Sequence, residues 1–330
     1  MSKEHIFDST ESLYTFICSQ NGKPMVPNTK IKLRVAVFIA SHIRYPRQMD
    51  LLRKAMGSLF RQTQTPHIHI SMSFGEGHCL QDYPLLPMLI CANSDRFSCT
   101  VQPKKMYQMQ HIQYLMETYG DNYDMLMFLD DDDTYSEIRV ESFTYAMKGN
   151  PLILSHPELA CVRENTDNHG NKAHCPEYWA YAVTPQLLRT FFKEVLERKL
   201  LIYVWHTMGD MVFRYYLRFN RLLSISGFDT SKLSKPSMYI YNADNPHGVC
   251  NSGFGRCDGS KNTFYRRLFS NAVVFSGSSW SDKDDKFHGA TLFEKLMSKC
   301  KGKPSPQELI CIHDSVRQTQ KLLDFYNDII

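Results

Sequence analysis

The sequence has no Cys-x-x-Cys pair, no internal repeat, no low-complexity tail, and no apolar run near the ~18 residues that a membrane span needs. Each absence removes a class. Ten cysteines stand unpaired in spacing at 18, 79, 91, 99, 161, 175, 250, 257, 300 and 311. That argues against a zinc ribbon or a thioredoxin-like site and reads as reduced, mostly buried thiols. The opening MSKEHIFDSTESLY lacks the apolar core of a secretory signal. These features lead us to expect a cytoplasmic, reducing setting, with attachment to a membrane or a larger assembly left open. Charge of one sign is also missing. Lys and Arg number 38 against 34 Asp and Glu, a net charge of +4, which is too small to suggest nucleic acid as a partner.

What is present is globular. The 330 residues are 43% hydrophobic and 22% charged. That mass suits two domains, or one large α/β domain with an extension. We read residues 1–30 as a lead-in, 31–150 as a first α/β part, and 151–330 as a second part ending in a helix. LRVAVFIA (33–40) is an almost unbroken apolar run, the pattern of a strand covered on both faces. SHIRYP reads as a loop. QMDLLRKAMGSLFRQT (48–63) carries Met49, Leu52, Met56, Leu59 and Phe60 at helical spacing. HIHISMS (67–73) is the next strand, which completes a β-α-β unit. Further elements are a helix over 84–92, a strand over 96–102, a helix over 106–120, a strand over 124–129 and a helix over 137–149. Beyond them, strands are expected at 159–164, 177–183, 221–226, 237–242 and 271–276, and helices at 185–199 and 209–219. Residues 245–262 read as a Gly-rich loop, and a closing helix falls within 304–329.

The strand DMLMFL runs directly into Asp130, Asp131, Asp132 and Asp133. In open α/β sheets ligands bind beyond the carboxyl ends of the strands. Adjacent carboxylates repel, and Mn²⁺ or Mg²⁺ relieves that repulsion because hard cations take oxygen ligands. A solvated acidic turn leading into the helix at 137–149 is the plainer alternative.

MLMFLDDDDTY resembles the strand-then-Asp-x-Asp motif of GT-A fold glycosyltransferases, particularly family-2-like members. Upstream, an apolar strand, a loop with Arg44, and a helix ending in Ser58-Leu59-x-x-Gln62-Thr63 are similar to the opening of that family. The resemblance covers roughly residues 33–150. It implies a Rossmann-like mixed sheet flanked by helices, followed by an acceptor-binding extension. It also implies a transferase that moves a hexose or pentose from a nucleoside-diphosphate sugar to a hydroxyl of a glycan or another acceptor, with inversion.

Residue by residue, the resemblance puts Ala40, Ser41, His42 and Arg44 around the nucleotide. Ser73 stands where the family often has a base-contacting acid. Gln108 and His111 share a helix face from which they reach the nucleotide-sugar. Asp130 and Asp132 are the metal-binding pair, with Asp132 the direct ligand, and Asp131 contacts ribose or a metal-bound water. Asp133 is left to cap the next helix. Asp210, after Gly209 and ahead of an apolar helix, is the expected general base, with Glu177 as runner-up. Trp179 and Trp205 offer rings to the acceptor sugar, though core packing explains them equally well. His247 and His288 are candidates for a third metal ligand or a diphosphate contact.

Two rival readings stand beside this one. Asp130-x-Asp132-x-Thr134 also matches the nucleophile motif of haloacid-dehalogenase-type phosphatases, with Asp130 as nucleophile, Asp132 as acid/base and Lys283, Asp284 and Asp285 supplying later charges. That motif normally opens its fold, whereas here three strands precede it. The other rival is a non-enzymatic sugar- or nucleotide-binding module.

Overall fold

The computed structural model describes residue 28 and residues 30–84, 95–150, 152–164, 177–197, 201–205, 209–219, 224–228 and 238–242. The helix expected over 84–92, the elements expected beyond 242, and His247, His288 and Trp280 lie outside the described residues, apart from residue 84.

Strand β1 (Val35–Ile43) is an interior strand of the sheet. Val35 to Ile39 are almost wholly shielded from solvent because both faces are covered. Helix α1 (Pro46–Phe60) starts where Pro46 sets the backbone, and the Gln48 side chain accepts the N–H groups of Arg44 and Tyr45. Its Leu51, Leu52, Ala55, Met56 and Leu59 form one buried stripe. β2 (His67–Phe74) pairs parallel to β1, and β3 (Phe97–Val101) pairs parallel to β2. Helix α2 (Gln108–Tyr119) then carries the chain to β4 (Met125–Asp130), which pairs parallel to the other side of β1. The apolar runs thus become strands as their composition requires.

After the two-residue β5 (Thr134–Tyr135) and helix α3 (Arg139–Lys148), the sheet continues through β6 (Ala160–Glu164) and β7 (Tyr181–Val183). Helix α4 (Pro185–Glu197) follows. β8 (Ser224–Phe228) closes the edge, and the order is β3-β2-β1-β4-β7-β6-β8. Only β7 runs against its neighbours, so the sheet is mixed. A separate two-stranded ribbon joins β5 to β9 (Tyr239–Ile240). All of these strands belong to one compact unit, made of the residues up to 193 with residues 222–245. The second unit takes in residues 194–221, with helices α5 (Leu201–Val204) and α6 (Gly209–Phe219). No helix among the described residues is long and apolar enough to cross a membrane.

The structure corrects several boundaries. β1 runs on to Ile43, so Ser41 and His42 are strand residues and not loop residues. Ladder pairing with β2 persists through Ile43 opposite Phe74, and this outweighs the polar character of Ser-His. The stretch 177–183 opens with a 3₁₀ turn at Tyr178–Ala180 before β7. Of the strand expected over 237–242, residues 238–242 are described, and among these Tyr239 and Ile240 are strand. Cys161 is buried, Cys99 half-buried and Cys79 exposed, and all are free thiols. Burial pushes the Cys99 and Cys161 thiols up to about 12, which makes them inert.

His69 on β2 is buried on one side of this sheet, stacked on Tyr119 at 4.1 Å and bonded to Ser98 and to the Tyr123 hydroxyl. Burial first, and the neighbouring His67 second, lower it to about 4. The unfolded chain therefore binds this proton first as pH falls, and folding loses stability between the ordinary histidine value and 4. We expect the wild type to lose up to about 3 kcal/mol relative to His69→Gln across that window. Urea unfolding of both proteins from pH 7 to pH 4 reads the difference, and parallel curves would refute it.

Candidate active site

The chain places β2 and β3 on one side of β1 and then jumps to the other side to form β4. In doubly wound sheets the crevice at such a reversal is where ligands bind. Ala40 and Asp130 are register partners across β1 and β4 at this point. The four aspartates follow immediately and form an acidic corner at the mouth of the sheet.

Each carboxylate of known partner is held by the protein. The Tyr178 hydroxyl donates to Asp130 Oδ1, and Gln108 Nε2 donates to the same oxygen at 2.7 Å. Ser41 Oγ donates to Asp131 Oδ2 at 2.6 Å. The Tyr239 hydroxyl accepts the Asp130 N–H at 3.2 Å and donates to Asp133 Oδ2 at 2.8 Å. The Asn242 N–H reaches Asp133 Oδ1 at 2.7 Å. Asp133 is 1% exposed and tied to the β9 ribbon, so it does not cap α3. Burial, and next the charge of Asp132, push Asp130 and Asp131 up to about 7. Burial, then Asp130 and Asp132, push Asp133 up to about 8. The corner holds more negative charge than its hydroxyl donors neutralise, and a divalent cation offsets that kind of excess.

Behind the corner lies a buried arginine that motif reading did not single out. Arg139 and Glu164 form an ion pair with both side chains wholly buried. Arg139 also donates to the Trp179 carbonyl at 2.9 Å, and its guanidinium lies 4.6–5.3 Å from the rings of Tyr135, Phe143 and Tyr239. Glu164 Oε1 accepts the Met238 N–H at 2.9 Å, one residue before Tyr239. The pair therefore fixes the ribbon that carries the hydroxyl facing Asp130 and Asp133. Arg139 follows a polar stretch and looks like a surface residue in one dimension. The detectable signal was an arginine on the apolar face of α3.

Ser58, Gln62 and Thr63, which carried part of the family resemblance, turn out to clamp the chain leaving the corner. Ser58 Oγ accepts the Tyr135 N–H at 3.0 Å. Gln62 Nε2 donates to the Ser136 carbonyl at 2.7 Å, while its Oε1 accepts the Val140 N–H at 3.0 Å. Thr63 Oγ1 donates to Glu141 at 2.7 Å, and its N–H to the Glu137 carbonyl at 2.8 Å.

The remaining residues scatter. His42 is half-buried, with Nδ1 2.8 Å from Ser73 Oγ. Arg44 is exposed and stands 5.6 Å over the Tyr45 ring, and a Cβ on Gly75 would meet its Cγ at 3.2 Å, a tight contact. Gln108 and His111 face the sheet as their spacing requires, but His111 is 1% exposed and bonds Ser71 and Ser73, so it reaches no ligand directly. Trp179 is 5% exposed and stacked on Tyr239 at 3.8 Å, so core packing is its role and one ring face is covered. Glu177 precedes the Tyr178 turn. Asp210 lies in the first turn of α6 and Trp205 just after α5, both half-buried and both in the second unit. Among the described residues no three His, Cys, Asp or Glu side chains form a metal cage by themselves.

No protein-family model matches the chain, and no curated protein matches it. Among solved structures it is similar to S. aureus TarS 1–349, with a TM-score of 0.48 at 12% identity over 87% of this chain and 80% of that one. With UDP-GlcNAc bound, TarS 1–349 gives a TM-score of 0.42 at 11% identity, over 62% of this chain and 57% of that one, so the match spans under two thirds of that chain. Similarity extends to the mannosyltransferase PcManGT from Pyrobaculum calidifontis, in complex with GDP-Man and Mn²⁺, with a TM-score of 0.43 at 11% identity over 96% and 82%.

The Gln62 clamp makes a direct prediction. Gln62→Ala strands a buried N–H and a buried carbonyl and should lower stability by about 2 kcal/mol. Denaturant unfolding measures this, and an unchanged midpoint would mean that water replaces the side chain at no cost.

Proposed function

We propose that the chain is a metal-dependent glycosyltransferase that moves a sugar from a nucleoside-diphosphate sugar to an acceptor hydroxyl of a glycan. The observation that carries the reading is the acidic corner at the reversal between β1 and β4, its carboxylates raised by burial and mutual repulsion. The donor set fits a hard divalent cation, Mn²⁺ or Mg²⁺. Sites of this kind use one or two carboxylates and complete the shell with diphosphate oxygens and water, so a full protein cage is not required. Asp132 is the proposed direct ligand, with Asp130 beside it. Such an ion, when bound, neutralises charge building on the departing nucleoside diphosphate.

The chain's own residues do the rest. Tyr178 and Gln108 fix the Asp130 carboxylate, and Ser41 fixes that of Asp131, so the corner meets its ligand already arranged. Ala40, Ser41, His42, Arg44 and Ser73 border the nucleotide, and residues 31–150 form the donor side of the molecule. Residues 151–330 form the acceptor side, where Trp205 contacts the acceptor and Asp210 takes the proton from its hydroxyl. A single displacement inverts the anomeric carbon. His247 and His288 remain proposed diphosphate contacts from the acceptor side, and a cytoplasmic setting remains proposed. In the phosphatase reading Asp130 would attack phosphorus, but its Oδ1 accepts two hydrogen bonds, which weaken it as a nucleophile.

The corner is tested with UDP and GDP, each with Mn²⁺. Either should raise the Tm of the wild type, and Asp132→Ala should abolish the rise. A full rise in that variant would remove Asp132 from the site. A screen of nucleotide-sugars identifies the donor. With that donor, Asp210→Asn should keep the Tm rise and lose roughly 10²–10⁴-fold in transfer rate. Undiminished transfer would exclude Asp210 as the base. Hydrolysis of a simple phosphomonoester that disappears in Asp130→Asn would favour the phosphatase.

A further inference from the structure

Beside the acidic corner a chain of polar groups links His42 and Ser73, proposed above to border the nucleotide, to Ser71, His111 and Gln102, whose bonding to one another the proposed reaction does not use. Gln102 Nε2 donates to Ser71 Oγ at 2.9 Å. Ser71 Oγ lies 2.8 Å from His111 Nδ1, and His111 Nε2 lies 3.3 Å from Ser73 Oγ. Ser73 Oγ in turn lies 2.8 Å from His42 Nδ1. Ser71, Ser73 and His111 are sealed from solvent, and the chain surfaces only at its two half-buried ends, Gln102 and His42, the latter directly across the ladder from Ser73.

The direction of every bond in this chain follows from its first member, given that each sealed hydroxyl, which could also accept twice, spends its one proton on a neighbour within the chain. A neutral imidazole has one donor and one acceptor, a hydroxyl has one proton, and an amide nitrogen only donates. Both rings are neutral at pH 7. Burial, with the charges of Lys105 and Arg44, lowers His42 to about 4, and burial, with His42, lowers His111 to about 3. Ser71 accepts from Gln102, so its proton goes to His111 Nδ1. That ring then carries its own proton on Nε2 and donates it to Ser73. Ser73 passes its proton to His42 Nδ1, which leaves the proton of His42 on Nε2.

We propose that His42 is a specificity-determining residue, locked through this chain by Gln102 as the Nε2–H tautomer, and that it selects a ligand presenting an acceptor oxygen at that point. This rests on the reading that a nucleotide lies across the carboxyl ends of β1 and β2. Where a carboxylate at the end of β2 would call for an N–H on the base, Ser73 and His42 call for a carbonyl or phosphoryl oxygen. The neighbouring cations Lys105 and Arg44 favour the same electron-rich partner. Gln102 is a positioning residue that acts without touching the ligand. One competing interaction exists: the Ser73 carbonyl slightly favours the charged ring of His42. A ring held by that carbonyl would carry its proton on Nδ1, the opposite tautomer.

Nitrogen-15 NMR of the histidine rings in the full chain at pH 7 decides between the two. We expect both His42 and His111 as Nε2–H tautomers. Gln102→Glu, which can only accept at this site, should reverse the chain and move both protons to Nδ1. Ser73→Ala, which removes one oxygen, should release His42 into a mixture while leaving His111 locked. An Nδ1–H His42 in the wild type, or tautomers unmoved by both substitutions, overturns the lock. For the ligand, uridine and inorganic pyrophosphate are titrated separately with Mn²⁺ present. A shift of the His42 Nε2–H signal with uridine names a base carbonyl, and one with pyrophosphate names a phosphoryl oxygen. Gln102→Glu should also weaken UDP binding by about tenfold. If UDP raises the Tm but no probe moves the His42 signal, the selection by His42 is wrong while the nucleotide reading survives. If no nucleotide binds, the nucleotide reading and the ligand half of the proposal fall together, and the tautomers still decide the lock.

Discussion

Four carboxylates in a row at the end of a dry strand set the terms for everything around them. Burial takes away the water that would screen Asp130, Asp131 and Asp133, and repulsion from neighbouring carboxylates raises the proton affinity of these three. The fold answers with neutral donors from several elements: Ser41 from β1, Gln108 from α2, Tyr178 from the turn before β7, and Tyr239 from β9. These donors hold the carboxylates in place without cancelling their charge. A site organised in this way keeps its geometry and stays acidic.

The buried Arg139–Glu164 pair stands one layer further back. It is costly to desolvate, so its value lies in registration and not in bulk stability. It joins α3, β6, the Trp179 carbonyl and the start of β9, and so places Tyr239 against Asp130 and Asp133. From the other side, Ser58, Gln62 and Thr63 at the end of α1 hold the segment that leaves the corner. The corner is thus clamped before and behind by residues that never face a ligand.

Much of this was legible in one dimension. The apolar runs at 33–40, 67–73 and 124–129 became neighbouring strands, and the helix stripes between them packed as their spacing required. The acidic corner was legible because four charges after an apolar strand have no ordinary structural use. Other features were not. The strand content of Ser41 and His42 was hidden because a ladder with β2 decides it, not local polarity. Trp179 read equally as a sugar platform or as core, and the contact that covers one of its faces comes from Tyr239, sixty residues later. Arg139 was not singled out, because its partner Glu164 lies on a strand twenty-five residues on.

By itself the sequence determined the sheet core, the helices that cover it, and the presence of a charged corner at a strand end. Those depend on hydrophobic periodicity and adjacency, which a chain carries along its length. Only the tertiary structure decided that this corner sits where the strand order reverses, which hydroxyl answers which carboxylate, and in which direction the Gln102-to-His42 chain points. Those depend on distances between residues far apart in the chain, and hydrogen-bond polarity passes from one group to the next only once folding has brought them into contact.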